Sequence, residues 1–179
     1  MRPIILIGYM ASGKTTLGRA LAHDLGLQFI DADTYLESRF HTTIAALFAE
    51  RGEETFRRIE RAMLHEIAEF EDVVIATGGG APCFFDNMDY LNSRGTTVWL
   101  QASSEVICNR LTISHTQRPL VKGKSGEELR RFVDDALLAR EPFYSRARFA
   151  FASNELEDRA QIATSVLRFK AEIPLVSED

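Results

Sequence analysis

Short apolar runs alternate with longer segments of helical spacing along this chain. Two of the runs, at 3–7 and 73–76, are apolar throughout and are therefore typical of parallel strands buried on both faces. We predict five strands, at 3–7, 28–30, 73–76, 97–100 and 148–151.

The segments between these strands carry apolar residues on one helical face, as at Leu17, Leu21 and Leu25. Thr34 and Glu37 fit a capping box, which predicts that a helix starts at Thr34. We predict helices at 14–25, from 34, at 43–50, 53–70 and 84–93, from 104, from 126 toward 140, and at 158–170.

Strands that alternate with helices predict an α/β fold in which helices cover both faces of a parallel sheet. A chain of 179 residues is most simply one domain, 1–179. Ligands of such sheets bind beyond the carboxyl ends of the strands. The first three predicted strands lead into Gly8, into Asp31-Ala32-Asp33 and into Gly78-Gly79-Gly80, so we expect these stretches to share one edge of the sheet.

The stretch from Gly8 to Thr15 has the spacing G-x-x-x-x-G-K-[ST] of a phosphate-binding loop. An apolar strand before it and a helical pattern after it supply the context that this motif requires. Its backbone N–H groups can hold a phosphate at a helix N-terminus. Lys14 would reach the β and γ phosphates, and the Thr15 hydroxyl would bind Mg²⁺.

The composition narrows the classes of partner. The net charge of −5 gives no basic surface for nucleic acid, and no apolar run approaches the roughly 18 residues of a membrane span. The two cysteines suggest neither a disulfide framework nor a zinc site, which fits a reducing compartment. The four histidines have no metal-site spacing. The chain starts with a strand rather than a targeting segment, so we expect a cytoplasmic protein. No long apolar surface stripe calls for a partner, and we expect a monomer.

Asp31 and Asp33 would point to the same side of an extended segment, one toward a metal and one toward a substrate hydroxyl. An aspartate that accepts the proton of an acceptor hydroxyl is a common device in phosphoryl transfer. Asp33 fits equally well as the cap of the following helix. The glycines at 78–80 favour close ligand contact over a plain turn, for which one glycine normally suffices.

The stretch from Thr112 to Gly126 loses periodicity and is too long for an idle connection, as lids often are. Within it, Arg118 would bring positive charge to a transferring phosphoryl group, although a solvated surface loop fits equally well. Arg57 and Arg140 could each bind a carboxylate, but spacing alone favours surface charges.

Taken together, these motifs resemble the shikimate kinase family over about residues 3–155. The resemblance rests on the phosphate loop and on five further motifs in the family's order: Asp31-Ala32-Asp33, Phe56-Arg57-Arg58-Ile59-Glu60, Gly78-Gly79-Gly80, Arg118-Pro119-Leu120 and Arg140-Glu141-Pro142-Phe143-Tyr144.

The resemblance implies a three-layer P-loop kinase with the fold of nucleoside monophosphate kinases and a five-stranded parallel sheet in the order 2-3-1-4-5. The core would comprise 3–31, 71–111 and 147–170, the substrate-binding segment 33–70 and the lid 112–124. The implied reaction is the Mg²⁺-dependent transfer of the ATP γ-phosphate to the 3-hydroxyl of shikimate, a step of aromatic amino-acid biosynthesis.

The resemblance also implies the roles of individual residues. Asp33 would orient or deprotonate the acceptor hydroxyl, and Asp31 would assist the metal through water. Lys14 and Arg118 would act on the transferring phosphate. ATP would be bound by Ala11, Ser12, Gly13, Lys14, Thr15, Thr16, Arg110 and Arg118. Shikimate would be bound by Asp33, Arg57, Gly79, Gly80 and Arg140, with Phe48 and Phe56 as an apolar wall.

Some positions depart from the family pattern. Near the adenine pocket, Glu155 follows Asn154 where many members carry Arg or Gln. The nucleotide contact that those members make at this position is therefore not expected here. Two other interpretations compete: another small-molecule kinase, such as a gluconate kinase, and a nucleotide-binding regulatory module. Two arginines suited to a carboxylate, together with Asp33, fit shikimate better.

Overall fold

A computed structural model describes residues 1–113 and 123–175 of the chain. Arg118 and most of the predicted lid at 112–124 lie outside the described residues. Residues 112 and 113 end a helix, and residues 123–125 precede the next one.

Five parallel strands form one sheet in the order β2-β3-β1-β4-β5, which confirms the predicted fold class. The strands are β1 Ile4–Ile7, β2 Gln28–Asp31, β3 Val73–Ala76, β4 Thr96–Gln101 and β5 Phe149–Ala152. In the central pairing, Ile5 of β1 lies opposite Ile75 of β3 and opposite Thr97 of β4.

The helices in the described ranges are α1 Lys14–Leu25, α2 Ala32–Phe40, α3 Ile44–Ile67, α4 Asn87–Arg94, α5 Ser104–Ile113, α6 Gly126–Tyr144 and α7 Arg159–Glu172. A short 3₁₀ helix, Ala81–Cys83, follows β3. Two separate helices were expected at 43–50 and 53–70. The structure confirms the break between them: α3 consists of two helical segments separated at Gly52, whose backbone is not helical (φ 75°, ψ 165°).

Alternate residues of β1 face two separate hydrophobic clusters, one on each side of the sheet. Ile5 and Ile7 belong to a cluster with residues of α2, α3, α4 and α6. Ile4 and Leu6 belong to a cluster with α1 and α7. The side-chain period of two in a strand therefore places helices on both faces, as the strand and helix alternation predicts.

The predicted start of α2 is wrong. Asp31, not Thr34, is the N-cap of this helix, and its carboxylate accepts a hydrogen bond of 3.2 Å from the backbone N–H of Thr34. Glu37, the other member of the predicted capping box, instead accepts a bond of 2.8 Å from the N–H of Ile44. Aspartate is as good an N-cap as threonine, and Asp31 at the end of β2 directly precedes the first helical residue.

Two further boundaries differ from the sequence prediction. The helix predicted at 84–93 starts only at Asn87, as α4, because Phe85 takes a left-handed conformation with φ of 50°. The helix predicted to end near Arg140 runs on to Tyr144 and includes Pro142. Ser125 occupies the predicted N-cap of α6, but among the described residues its side chain makes no capping hydrogen bond.

Across residues 1–113 and 123–175, no helix combines the length and the apolar composition that crossing a bilayer requires.

Candidate active site

The phosphate loop connects β1 to α1 at the carboxyl edge of the sheet. Gly13 is the N-cap of α1 with φ of 98°, a backbone conformation that side chains rarely allow. A Cβ atom at Gly13 would also lie 2.3 Å from Cδ1 of Leu156. The loop therefore presents the start of α1, with its uncompensated N–H groups, to an anion.

Lys14 lies in this loop with only 9% of its surface exposed. Its Nζ donates hydrogen bonds of 2.8 Å to the carbonyl oxygens of Gly8 and Tyr9. These bonds hold the ammonium charge beside the loop backbone, where a phosphate bound by the loop would meet it.

Thr15 and Asp31 meet at the first turn of α1. The Thr15 hydroxyl donates a bond of 2.9 Å to Oδ2 of Asp31, while Oδ1 of the same carboxylate caps α2. Within the described residues no three His, Cys, Asp or Glu side chains cluster as a metal cage. A hydroxyl and one carboxylate beside a phosphate loop still fit Mg²⁺, which commonly takes one or two protein oxygens, substrate phosphates and water.

Asp33 lies in the first turn of α2, so the expectation that it shares an extended segment with Asp31 is wrong. The three elements β2, α2 and β3 nevertheless bring its carboxylate to the turn formed by residues 78–80 after β3, here called the glycine turn. A Cβ atom at Gly78 would lie 2.8 Å from Oδ1 of Asp33 and 3.2 Å from Oε1 of Glu60. Gly78 is thus packed between two carboxylates.

Glu60 is a buried acid on α3 that the sequence motif contained without a role. Its surface is only 4% exposed, and burial raises the pKa of its carboxyl above the ordinary value. Arg57 acts in the opposite direction, because its Nη1 donates a bond of 2.7 Å to Oε2 of Glu60. Asp33 adds a further negative charge that favours the protonated form of Glu60.

Arg57 reaches the same turn from α3. A Cβ atom at Gly80 would lie 3.1 Å from its Nη2, so the guanidinium rests against the bare backbone. The Arg57 Cζ atom lies 4.0 Å from the ring centroid of Phe84 and 5.2 Å from that of Phe56. Phe56 in turn packs against Phe48, with 5.4 Å between ring centroids. The predicted apolar wall is therefore next to the predicted carboxylate-binding arginine.

Arg140 approaches the turn from α6. Its Nη1 donates a bond of 3.3 Å to the carbonyl oxygen of Gly79, and its Cζ atom lies 4.9 Å from the ring centroid of Tyr9 in the phosphate loop. The Tyr144 hydroxyl, one helical turn further on, donates to the same carbonyl. Burial raises the pKa of Tyr144 to about 12, so the phenol keeps its proton at neutral pH.

The glycine turn also touches the phosphate loop itself. A Cβ atom at Gly79 would lie 3.3 Å from the backbone nitrogen of Met10 and 3.4 Å from the carbonyl oxygen of Gly8. The loop expected to hold a donor phosphate and the turn that gathers Asp33, Arg57 and Arg140 are therefore adjacent. This geometry suits transfer of a phosphoryl group to an acceptor that carries a carboxylate.

Arg110 ties the phosphate loop to the segment after β5. Its guanidinium donates to the carbonyl oxygens of Ala11 at 3.1 Å, Ser153 at 3.0 Å and Asn154 at 3.1 Å. It also pairs with Glu157 at 2.8 Å. A second bond, from the Ser153 hydroxyl to the carbonyl of Ser12 at 2.8 Å, joins the same two segments. Arg110, for which a nucleotide contact was predicted, thus also holds the phosphate loop against the segment after β5.

Sequence reasoning assigned no role to Tyr9, Phe84 or Tyr144, although all three contact predicted site residues. Tyr144 stood inside a quoted motif four residues after Arg140, and that helical spacing was a usable signal. Tyr9 stood inside the phosphate loop. For Phe84 the sequence held no signal, because its contact with Arg57 depends on how the 3₁₀ turn packs against α3.

The sheet order, the phosphate loop after β1 and the meeting of Asp33, Arg57 and Arg140 at the glycine turn define the chain as an α/β P-loop kinase. The family model described as shikimate kinase matches residues 10–171. A shikimate kinase of Phocaeicola vulgatus is 56% identical over 166 residues, which are 93% of this chain and 95% of that protein. The chain belongs to the shikimate kinase family.

Solved structures agree with this assignment. The crystal structure of shikimate kinase from Bacteroides thetaiotaomicron has a TM-score of 0.92 and 54% identity, and the match covers 94% of this chain and 96% of that one. Shikimate kinase from Acinetobacter baumannii in complex with shikimate has a TM-score of 0.81 and 32% identity, with 96% and 92% coverage.

We predict that Arg110→Lys lowers the free energy of unfolding by about 1–3 kcal/mol and weakens ATP binding. An ammonium group cannot replace a planar fork that serves three carbonyls and a carboxylate, so exposed and part-buried acceptors lose their donors. Urea unfolding and ATP titration measure the two effects. Arg130→Lys, at an exposed arginine paired with Asp134, is the control and should change neither. Unaltered stability in Arg110→Lys would contradict the supporting role.

Proposed function

We infer that this chain is a shikimate kinase, an ATP-dependent phosphotransferase that moves the γ-phosphate of ATP to the 3-hydroxyl of shikimate. The observation that carries the inference is the meeting of Asp33, Arg57 and Arg140 at a glycine turn that abuts the phosphate loop. Family membership supports the choice of acceptor. Shikimate carries a carboxylate and three hydroxyls, which match two guanidinium groups and one carboxylate.

On the donor side, we propose that Ala11, Ser12, Gly13, Lys14, Thr15 and Thr16 bind the phosphates of ATP. The N–H groups at the start of α1 would bind phosphate oxygens, and Lys14 would exchange its bonds with Gly8 and Tyr9 for bonds to the β and γ phosphates. Arg110 would contact the nucleotide while it holds the loop. Arg118, outside the described residues, would add positive charge when the 112–124 segment closes as a lid.

We propose that Thr15 binds Mg²⁺ directly and that Asp31 does so through water. The hydrogen bond of 2.9 Å between these two groups supports their assignment to one ion. Mg²⁺ would neutralise charge on the phosphates. Asp31 has a second task in capping α2, which fixes its carboxylate at the edge of the site.

On the acceptor side, we propose that Arg57 and Arg140 bind the carboxylate of shikimate and that Asp33 binds its hydroxyls. Phe48 and Phe56 would cover the ring, and Gly79 and Gly80 would contact it through the backbone. The Gly79 carbonyl already accepts bonds from Arg140 and Tyr144, so the N–H groups are the available contacts. Fixing both ends of a small acceptor aims the 3-hydroxyl at the phosphoryl group.

We further propose that the chain works as a single domain in the cytoplasm and as a monomer. In this arrangement 33–70 is the acceptor-binding segment, and the core comprises 3–31, 71–111 and 147–170. The two hydrophobic clusters pack against opposite faces of one sheet, which supports a single domain.

ADP release from MgATP tests the proposed function directly. We expect turnover with shikimate and little with gluconate or any nucleoside monophosphate, since two arginines suited to a carboxylate, together with Asp33, fit shikimate better. Turnover with one of those acceptors, and none with shikimate, would show that the acceptor has been misassigned.

Asp33→Asn should lower kcat for shikimate by roughly 10²–10⁴-fold, the usual range for loss of a general base. The amide keeps the shape and a hydrogen bond but cannot take the hydroxyl proton. Steady-state kinetics measure the effect, and Asp135→Asn on the exposed side of α6 is the matched control. A near-normal kcat in Asp33→Asn would restrict Asp33 to positioning the acceptor.

Arg57→Ala and Arg140→Ala should each raise KM for shikimate by about 10–100-fold, in line with the loss of a hydrogen bond to a charged group. KM for ATP should change little, because both arginines would contact a carboxylate that takes no part in the reaction. Arg58→Ala, at the exposed neighbour that pairs with Glu54, is the control for Arg57. An increase confined to KM for ATP would place these arginines on the donor side.

A further inference from the structure

The guanidinium of Arg57 is incompletely fixed by hydrogen bonds. Nη1 donates to Glu60 at 2.7 Å, and Nε lies 3.8 Å from Glu53. Nε is buried and makes no hydrogen bond with any of the described residues. One strong bond at one corner lets a planar group rotate, so a further contact has to determine the plane in which the guanidinium lies.

Phe84 supplies that contact. Its ring centroid lies 4.0 Å from Cζ of Arg57, which is within the range of a close cation–π interaction and nearer than the 5.2 Å to Phe56. On another side, the bare backbone of Gly80 approaches Nη2 so closely that a Cβ atom there would lie 3.1 Å away. Phe84, Glu60 and Gly80 together leave the guanidinium one place to lie.

The backbone after β3 is arranged so that Phe84 can reach Arg57. The side-chain amide of Asn87, which is fully buried, donates a bond of 2.8 Å to the carbonyl of Ala81 and closes the turn. Asp86 accepts two bonds from Arg61 of α3, at 2.6 and 2.9 Å, and so fastens the segment to the helix that carries Arg57.

Phe85, between these anchors, takes a left-handed conformation with φ of 50° and leaves 56% of its surface exposed. A bulky residue at positive φ is strained, and an exposed phenylalanine gains little from burial. The strain is explained if the chain must turn here so that Phe84 lies over Arg57 while Asp86 reaches Arg61.

We propose that Phe84 is a positioning residue for acceptor recognition, whose ring holds the Arg57 guanidinium in the orientation that binds the acceptor's carboxylate. The proposal rests on the proposed function, since it assigns Arg57 to that carboxylate. Phe84 acts through Arg57 and needs no contact with the acceptor. An aliphatic side chain of similar size fills the space but offers no π face to the cation.

Phe84→Leu tests the proposal, with Phe85→Leu as the matched control at the neighbouring exposed ring. Loss of a cation–π contact worth roughly 0.5–2 kcal/mol corresponds to an increase of about 2–30-fold in KM for shikimate. We expect this increase in Phe84→Leu, with kcat and KM for ATP within about twofold of the wild type. Phe85→Leu should leave all three constants unchanged. Phe84→Tyr keeps the π face and should restore KM.

Shikimate methyl ester, which lacks the charged carboxylate, gives a second readout. Phe84→Leu should raise KM for the ester less than KM for shikimate, whereas a general loosening of the site would raise both equally. Phe84→Met provides a second non-aromatic variant should the leucine variant fold poorly, and thermal unfolding monitors folding in each case.

Four outcomes would overturn the proposal while the proposed function stands. The first is an unchanged KM for shikimate in folded Phe84→Leu and Phe84→Met, and the second is an equal increase in KM for shikimate and its methyl ester in Phe84→Leu. The others are an equal increase in Phe84→Tyr or in Phe85→Leu. Wild-type protein that releases no ADP with shikimate would overturn the proposed function, and the role of Phe84 with it.

Discussion

Residues 78–80 are glycines, and the absence of side chains there lets the two halves of the site pack closely together. Asp33 and Glu60 pack where a side chain at Gly78 would lie, Gly8 and Met10 where one at Gly79 would lie, and Arg57 beside Gly80. Each contact leaves 2.8–3.4 Å for an added Cβ, which is less than ordinary van der Waals separation. A single turn therefore adjoins the phosphate loop, an aspartate and an arginine at once.

The same turn also brings charged side chains close together, and their charges partly offset one another. Two carboxylates, Asp33 and Glu60, lie on either side of Gly78, and burial raises the pKa of Glu60. The hydrogen bond from Arg57 offsets that effect, and it also makes Glu60 part of the support of Arg57. Arg140 is supported differently, by the Gly79 carbonyl and the ring of Tyr9, so each of the two arginines rests on an aromatic face and on the turn.

The fold and the position of the phosphate loop could be predicted from the sequence because their signals are local. Apolar runs at 3–7 and 73–76 identified buried parallel strands, and the order of the sheet came from the family resemblance. The phosphate loop is a contiguous motif whose geometry follows from its residues. By contrast, Asp33 reaches Gly78 from the first turn of α2. The capping box at Thr34 predicted a later start for this helix, because Asp31 was not recognised as its N-cap. The stacking of Phe84 on Arg57 joins α3 to a turn after β3, and no periodicity records such a contact.

A crystal structure with shikimate and MgADP would test the account most directly, because it places donor and acceptor relative to the glycine turn in one observation. We expect the shikimate carboxylate between Arg57 and Arg140, its hydroxyls at Asp33 and the ADP phosphates at residues 11–16. A carboxylate bound away from both arginines, or phosphates bound outside the loop between β1 and α1, would contradict the assignment of the two halves of the site.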